Sequence, residues 1–94
     1  MLYVLFCEDK AEAESVRLAT REAHLAYVGG KTTMIRLAGP MMSDDGQHMA
    51  GSLFILEAQD RAAVEAFNAA DPYTVAGLWE RVIIRPFRQV VPAS

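Results

Sequence analysis

The opening run Leu2-Tyr3-Val4-Leu5-Phe6-Cys7 is apolar at every position and is broken at once by Glu8-Asp9-Lys10. A strand points successive side chains to opposite faces, so this one carries large apolar groups on both, and both need cover. Gly51 to Glu57 (GSLFILE) repeats the pattern, with Leu53 and Ile55 on one side and Phe54 and Leu56 on the other. A chain of 94 residues has room for one core and one layer of helices. The face that the helices do not reach is therefore expected to meet another subunit, sheet against sheet, in a homodimer or a higher oligomer.

Local signals set the order of elements. Asp9 stands three residues before Glu12, a capping-box spacing that opens a helix running from 11 to 28 and ending at Gly29-Gly30. Lys31 to Ala38 (KTTMIRLA) reads as a second strand closed by Gly39-Pro40. A turn-rich segment, Met41 to Ala50, joins it to the third strand, Gly51 to Glu57. Asp60 caps a second helix through Ala70, in which Ala63, Val64, Phe67 and Ala70 recur at three- and four-residue spacing. Asp71-Pro72 stops it, a short turn follows from Tyr73 to Leu78, and the last strand runs from Trp79 to Val91. The order β-α-β-β-α-β predicts an α+β, ferredoxin-like fold. Residues 1–94 form one domain with a four-stranded antiparallel sheet and two helices on one face.

Composition narrows the function classes. Hydrophobic residues make up 52% and charged residues 22%, which excludes a disordered chain. Nine Lys/Arg against twelve Asp/Glu give a net charge of −3, with no basic cluster of the kind phosphate backbones require, so nucleic acid is not an expected partner. The single Cys7 with His24 and His48 offers no zinc spacing. The apolar start is too short for a membrane span or a signal segment, so no membrane partner and a reducing, cytoplasmic setting are expected. Gly30-Lys31-Thr32-Thr33 lacks the first glycine of a phosphate-binding loop, since Leu25 stands there. Asp44-Asp45-Gly46 is a turn rather than a calcium loop, and no cofactor is expected.

The first helix carries the most chemistry. Val16, Thr20, Ala23 and Tyr27 share a stripe with Ala19 and Ala26 beside it, which reads as the core-facing side, and Leu18 and Leu25 form a second apolar line. Between them Arg17, Arg21 and His24 project within an arc of about 60°. A polar stripe between two buried apolar lines marks the edge of a cleft, suited to an anionic or phenolic ligand. His24 alone reads as a satisfied structural histidine, and Asp71 reads as a helix stop. Together they read as a base and the carboxylate that fixes its tautomer. Ser52 has no nucleophile elbow around it, but its hydroxyl can donate to an oxyanion.

Six separated stretches together resemble the YciI (YCII-related) family. They are MLYVLFCEDK, Arg17-x-x-x-Arg21-x-x-His24-Leu25, Ala38-Gly39-Pro40, Gly51-Ser52, Asp71-Pro72-Tyr73 and Ile84-x-Pro86-Phe87. The resemblance covers nearly the whole chain. It implies a dimeric α/β-barrel with a pocket between helices and sheet and a His-Asp dyad, here His24 with Asp71 oriented by Pro72. It also implies an oxyanion hole at Arg17 and Ser52 with Asp9 holding Arg17, and supporting positions at Arg21, Gly39, Pro40 and Tyr73. His48, in a reduced loop, has no place in the pattern. One branch of the family is similar to cofactor-free dehydrochlorinases of chlorinated hydroxyhydroquinones. The resemblance thus implies a lyase or isomerase working by proton abstraction. A non-catalytic anion-binding or sensory domain and a pure assembly module are the alternatives.

Overall fold

A computed structural model describes residues 1–93. The sheet has four antiparallel strands: β1 (Leu2–Asp9), β2 (Ile35–Met42), β3 (Met49–Glu57) and β4 (Trp79–Phe87), in the order β2-β3-β1-β4. Helices α1 (Glu14–Gly29), α2 (Arg61–Ala70) and the single turn α3 (Pro72–Val75) complete the α+β fold. Among the described residues no helix is long and apolar enough to cross a membrane.

Alternation along the two central strands divides the sheet into two faces. Tyr3, Leu5 and Cys7 of β1, Phe54 and Leu56 of β3 and Ile84 of β4 point toward the helices, where Val64 and Phe67 of α2 close the core over them. Leu2, Val4 and Phe6 point the other way. The register places Leu53 beside Phe6, Ile55 beside Val4, Leu37 beside Ile55 and Phe87 beside Leu2, so one connected apolar surface covers the face without helices.

Several boundaries differ from the sequence expectation, each for a local reason. The first helix starts at Glu14 with Ala13 as an N-cap that offers no side-chain hydrogen bond. Asp9 does not cap it, because its carboxylate is held by Arg17 instead. The chain turns between them through Glu12 at a φ of 58°, a left-handed conformation uncommon for a side chain of this size. The second strand lies four residues later than expected, and Gly39-Pro40 falls inside it. An edge strand tolerates a proline because one side of its backbone has no ladder partner. The loop shrinks to 43–48, where Gly46 at a φ of 73° donates to the Ser43 carbonyl and Ser43 donates its hydroxyl to Asp45. The turn after Asp71 holds α3, and β4 ends at Phe87 rather than Val91.

The rotation of α1 is the largest correction. Arg17 and His24 are its buried residues, with Thr20, Tyr27 and Val28 partly buried, while Val16, Ala19, Ala23 and Ala26 of the expected core stripe are exposed. Leu18 and Leu25 are 57% and 46% exposed, so they are not buried flanks. Alanines offer little area to bury, whereas Arg17 and His24 each find a buried carboxylate, and that pairing decides which face turns inward.

Gly51 is required by packing. A Cβ there would lie 2.5 Å from the Cys7 carbonyl oxygen and 2.6 Å from Met41 Cε. Gly51→Ala is expected to lower the unfolding free energy by about 1–3 kcal/mol through overpacking, measured by urea denaturation. Gly39→Ala, where a Cβ meets nothing within 4 Å, is the control and is expected to be much milder.

Candidate functional site

The pocket between α1 and the sheet forms a cavity of about 170 Å³. Arg17, Arg21 and His24 line it from α1, Ala38, Gly39 and Pro40 from β2, Ser52 and Phe54 from β3, and Tyr73 from α3. The topology explains why these residues meet. Ser52 and Phe54 are two apart on β3 and share the helix-facing side, and the register sets Pro40 beside Ser52 and Ala38 beside Phe54.

His24 and Asp71 are in contact. His24 Nδ1 lies 2.8 Å from Asp71 Oδ1, with His24 8% exposed and Asp71 fully buried. A carboxylate oxygen only accepts, so Nδ1 carries the proton and Nε2 is the ring nitrogen left with a lone pair. The same Oδ1 accepts the Tyr73 backbone N–H at 2.9 Å, which makes Asp71 the N-cap of α3. Asp71 Oδ2 is buried with no hydrogen-bond partner, so one imidazole and one peptide N–H compensate the whole carboxylate. Pro72 occupies the first turn of α3, and the residue before it is extended, at φ −63° and ψ 128°. This turns the carboxylate away from the end of α2 and toward α1.

Arg17 is the second centre. It is 2% exposed and gives a two-pronged contact to Asp9, Nε to Oδ2 at 2.8 Å and Nη2 to Oδ1 at 2.9 Å. Nη2 also donates to Ser52 Oγ at 3.0 Å. A hydroxyl that accepts from a guanidinium keeps its own proton to donate, so Ser52 presents a polarised O–H beside the cavity. Burial alone would make the Arg17 guanidinium easier to deprotonate, but the hydrogen bonds and charge of Asp9 overcome this and leave its pKa raised.

Tyr73 links the two centres. Its ring stacks on His24 with centroids 4.0 Å apart and planes 15° from parallel, and Arg17 Cζ lies 4.7 Å from its centroid. Burial pushes its phenol up in pKa, opposed by the positive charges of Arg17 and Arg21. Phe54 meets the His24 ring edge-on at 6.1 Å, and Trp79 stands 5.7 Å from Arg17. The period-two alternation from Ser52 would have found Phe54. Trp79 comes from a strand distant in sequence and left no signal.

The remaining expected positions divide. Arg21 is exposed at the pocket rim, and Gly39 and Pro40 form its wall. His48 lies outside this pocket, with Nδ1 3.1 Å from Glu14 Oε1. Cys7 is fully buried, and burial, helped by the charges of Asp71 and Asp9, pushes its thiol up to about 12. It is no nucleophile at ordinary pH. Among the described residues no three His, Cys, Asp or Glu side chains cluster as a metal site would need.

Removing one partner of a buried charged pair leaves the other uncompensated. Asp9→Ala is expected to destabilise the fold by about 3–5 kcal/mol. Arg36→Ala, which breaks the exposed pair with Glu57, is expected to cost no more than about 1 kcal/mol. Thermal and denaturant unfolding of both variants checks the contrast.

Comparison with known proteins sets these residues in a family. The YCII-related domain model matches residues 1–88. "Protein YciI" of Escherichia coli O6:H1 (strain CFT073) is 39% identical over 97 aligned positions, covering 96% of this chain and 99% of that protein. An uncharacterized protein of Haemophilus influenzae Rd is 35% identical with the same coverage. Among solved structures, 5-chloro-2-hydroxyhydroquinone dehydrochlorinase (TftG) from Burkholderia phenoliruptrix AC1100, in complex with 2,5-dihydroxybenzoquinone, superposes with a TM-score of 0.89 at 31% identity, over 96% of each chain. Rv0793 from Mycobacterium tuberculosis, at a TM-score of 0.54 and 16% identity over 99% of this chain and 97% of that one, shares the fold. The match over nearly the whole chain and the likeness of its relatives make this protein a member of the YCII-related domain family.

Proposed function

We propose that this protein is a cofactor-independent small-molecule enzyme with His24 as general base, oriented by Asp71, acting as a lyase on a phenolic ring of the chlorinated hydroxyhydroquinone type. The observation that carries the reading is the arrangement around the cavity. One imidazole nitrogen is fixed on a buried carboxylate, the other is left with a lone pair, and an arginine-held hydroxyl lies on the adjoining wall. The likeness to a dehydrochlorinase bound to a dihydroxybenzoquinone supports the substrate class. Size agrees, since a cavity of roughly 150 Å³ accepts a benzene ring and this one measures about 170 Å³.

In this reading Nε2 takes up a hydroxyl proton from the substrate, and Asp71 faces the positive charge that the ring acquires. Ser52, with Arg17 behind it, donates to the oxygen on which negative charge develops. The proton is returned to the chlorine-bearing carbon, giving a ketone with that carbon as sp3 C(H)Cl. Loss of a second hydroxyl proton to the imidazole then forms a second C=O, shifts the ring double bond and expels chloride with the C–Cl bonding pair, so the net change is loss of HCl. Asp9 holds Arg17, Pro72 sets Asp71, and Tyr73 keeps the imidazole plane. The unmatched charge of Arg21 at the rim also suits a binding domain without chemistry, and turnover separates the two readings.

His24→Ala is expected to lower turnover of 5-chloro-2-hydroxyhydroquinone about 10²–10⁴-fold while the variant still binds the ring. Ser52→Ala is expected to lower kcat by about 10²-fold or more with little change in KM. Chloride release followed in stopped assays checks both. Turnover unchanged in His24→Ala would sink the base assignment, and ring binding without turnover by the wild type would move the assignment to a binding domain.

We also propose that two copies associate through the open sheet face, where Leu2, Val4, Phe6, Leu53 and Ile55 are only partly covered and Leu37 and Phe87 are exposed. Phe6→Glu at the centre of that surface is expected to shift the protein to monomer in sedimentation velocity. A wild type that sediments as a monomer contradicts the association.

A further inference from the structure

The two guanidinium groups of the pocket differ in their direct partners. The two-pronged contact with Asp9 balances Arg17, and Asp71 stands against His24, each at 2.8 Å. Arg21 lines the same cavity and is exposed at its rim, and among the described residues it has no ion-pair partner. Its own helix supplies none, because the residues three and four away are Leu18, Arg17, His24 and Leu25. Arg36 and Arg61 on the open surface each have a glutamate within reach, while Arg81, Arg85 and Arg88, like Arg21, pair with none among the described residues; what sets Arg21 apart is that it lines the cavity. Arg21 therefore presents a guanidinium without a contacting carboxylate at the entrance of a cavity in which Asp9 is already engaged by Arg17 and Asp71 by the His24 imidazole.

We propose that Arg21 is the anion-recognition residue of this pocket and that a hydroxylated ring bearing a carboxylate is held there more tightly than the same ring without one, the hydroxyl directed inward and the carboxylate toward the rim. The inference rests on the reading of the cavity as a one-ring site. The i, i+3 and i, i+4 steps from Arg21 to His24 and from Arg17 to Arg21 set its Cα about 4.5 Å and 6 Å along the helix axis from theirs. That offset places Arg21 on the same side of the helix as Arg17 and His24, one turn from each, so all three border one cavity. A guanidinium fork pairs with the two oxygens of a carboxylate. A phosphate is disfavoured because phosphate sites converge several donors or a helix N-terminus on the group, and this rim offers one side chain. That the charge of Arg21 acts on the cavity is supported by its pull on the Tyr73 phenol.

Isothermal titration of the wild type, Arg21→Gln and Arg21→Lys with 2,5-dihydroxybenzoate and with hydroquinone tests the proposal. The two probes share a ring and two hydroxyls and differ by the carboxylate. The wild type is expected to bind the carboxylate probe roughly tenfold more tightly. The advantage is expected to shrink with added salt, vanish in Arg21→Gln and return in part in Arg21→Lys, with hydroquinone affinity unchanged throughout. Equal affinities in the wild type, an advantage that persists in Arg21→Gln, or no binding of either probe would overturn it. The readout is binding, so it is independent of proton transfer. If His24→Ala leaves the carboxylate preference intact while wild-type turnover is absent, the base assignment fails and the anion site stands.

Discussion

The ion pair between Asp9 and Arg17 fixes the geometry on which everything else depends. It joins the last residue of β1 to the first turn of α1, and the further bond to Ser52 ties in β3. A buried pair of this kind contributes little net stability, because removing two charges from water costs about as much as their attraction returns. What it contributes is orientation. Once Arg17 points inward, the helical repeat brings His24, seven residues on and nearly in line, inward as well, to the depth at which Asp71 lies. The second contact is thus partly a consequence of the first.

Asp71 completes the arrangement by serving two backbone roles and one side-chain role. It ends α2 because the residue before proline avoids the helical region, and it starts α3 by accepting the Tyr73 N–H. The oxygen that makes this cap also meets His24, so the carboxylate cannot rotate toward the imidazole or away from it without losing a cap. The next residues place Tyr73 flat against the same ring. Four consecutive positions, from Ala70 to Tyr73, thereby turn a helix end into a rigid support.

This explains what was legible in the sequence. The sheet and α2 could be read because alternation in Leu2 to Cys7 and Leu53 to Leu56, and the Asp60 cap, are local signals matched by local structure. The rotation of α1 could not be read from apolar periodicity. The force that turns it comes from carboxylates at positions 9 and 71, one on either side of the helix in sequence, and no pattern within residues 11 to 28 encodes them. The same competition misled the reading of Asp9. Its spacing to Glu12 is a capping box, yet a bidentate guanidinium is a stronger partner than a peptide N–H. Asp71 was legible through the Asp-Pro step, which stops the helix and turns the carboxylate from it, and through the family resemblance, which pairs it with His24; the contact itself depends on the rotation of α1, which no local pattern encodes. The strand around Gly39-Pro40 escaped because punctuation that ends a central strand is tolerated at the sheet edge.

Placing charged residues in the core of so small a domain has a consequence for the opposite face. Arg17, His24, Ser52 and Asp71 occupy interior positions that apolar side chains would otherwise fill. A chain of this length buries a smaller share of its surface than a larger one does, which leaves little margin. The apolar area that the helix layer gives up to the pocket is available on the other side of the sheet, in Leu2, Val4, Phe6, Leu53 and Ile55. Burial of that face by a second copy would supply stabilisation that costs the pocket nothing, because the two faces share backbone but no side chains. The polar site and the two-faced apolar strands are on this view one constraint: a sheet that gives part of one face to a cavity keeps much of its apolar area on the other.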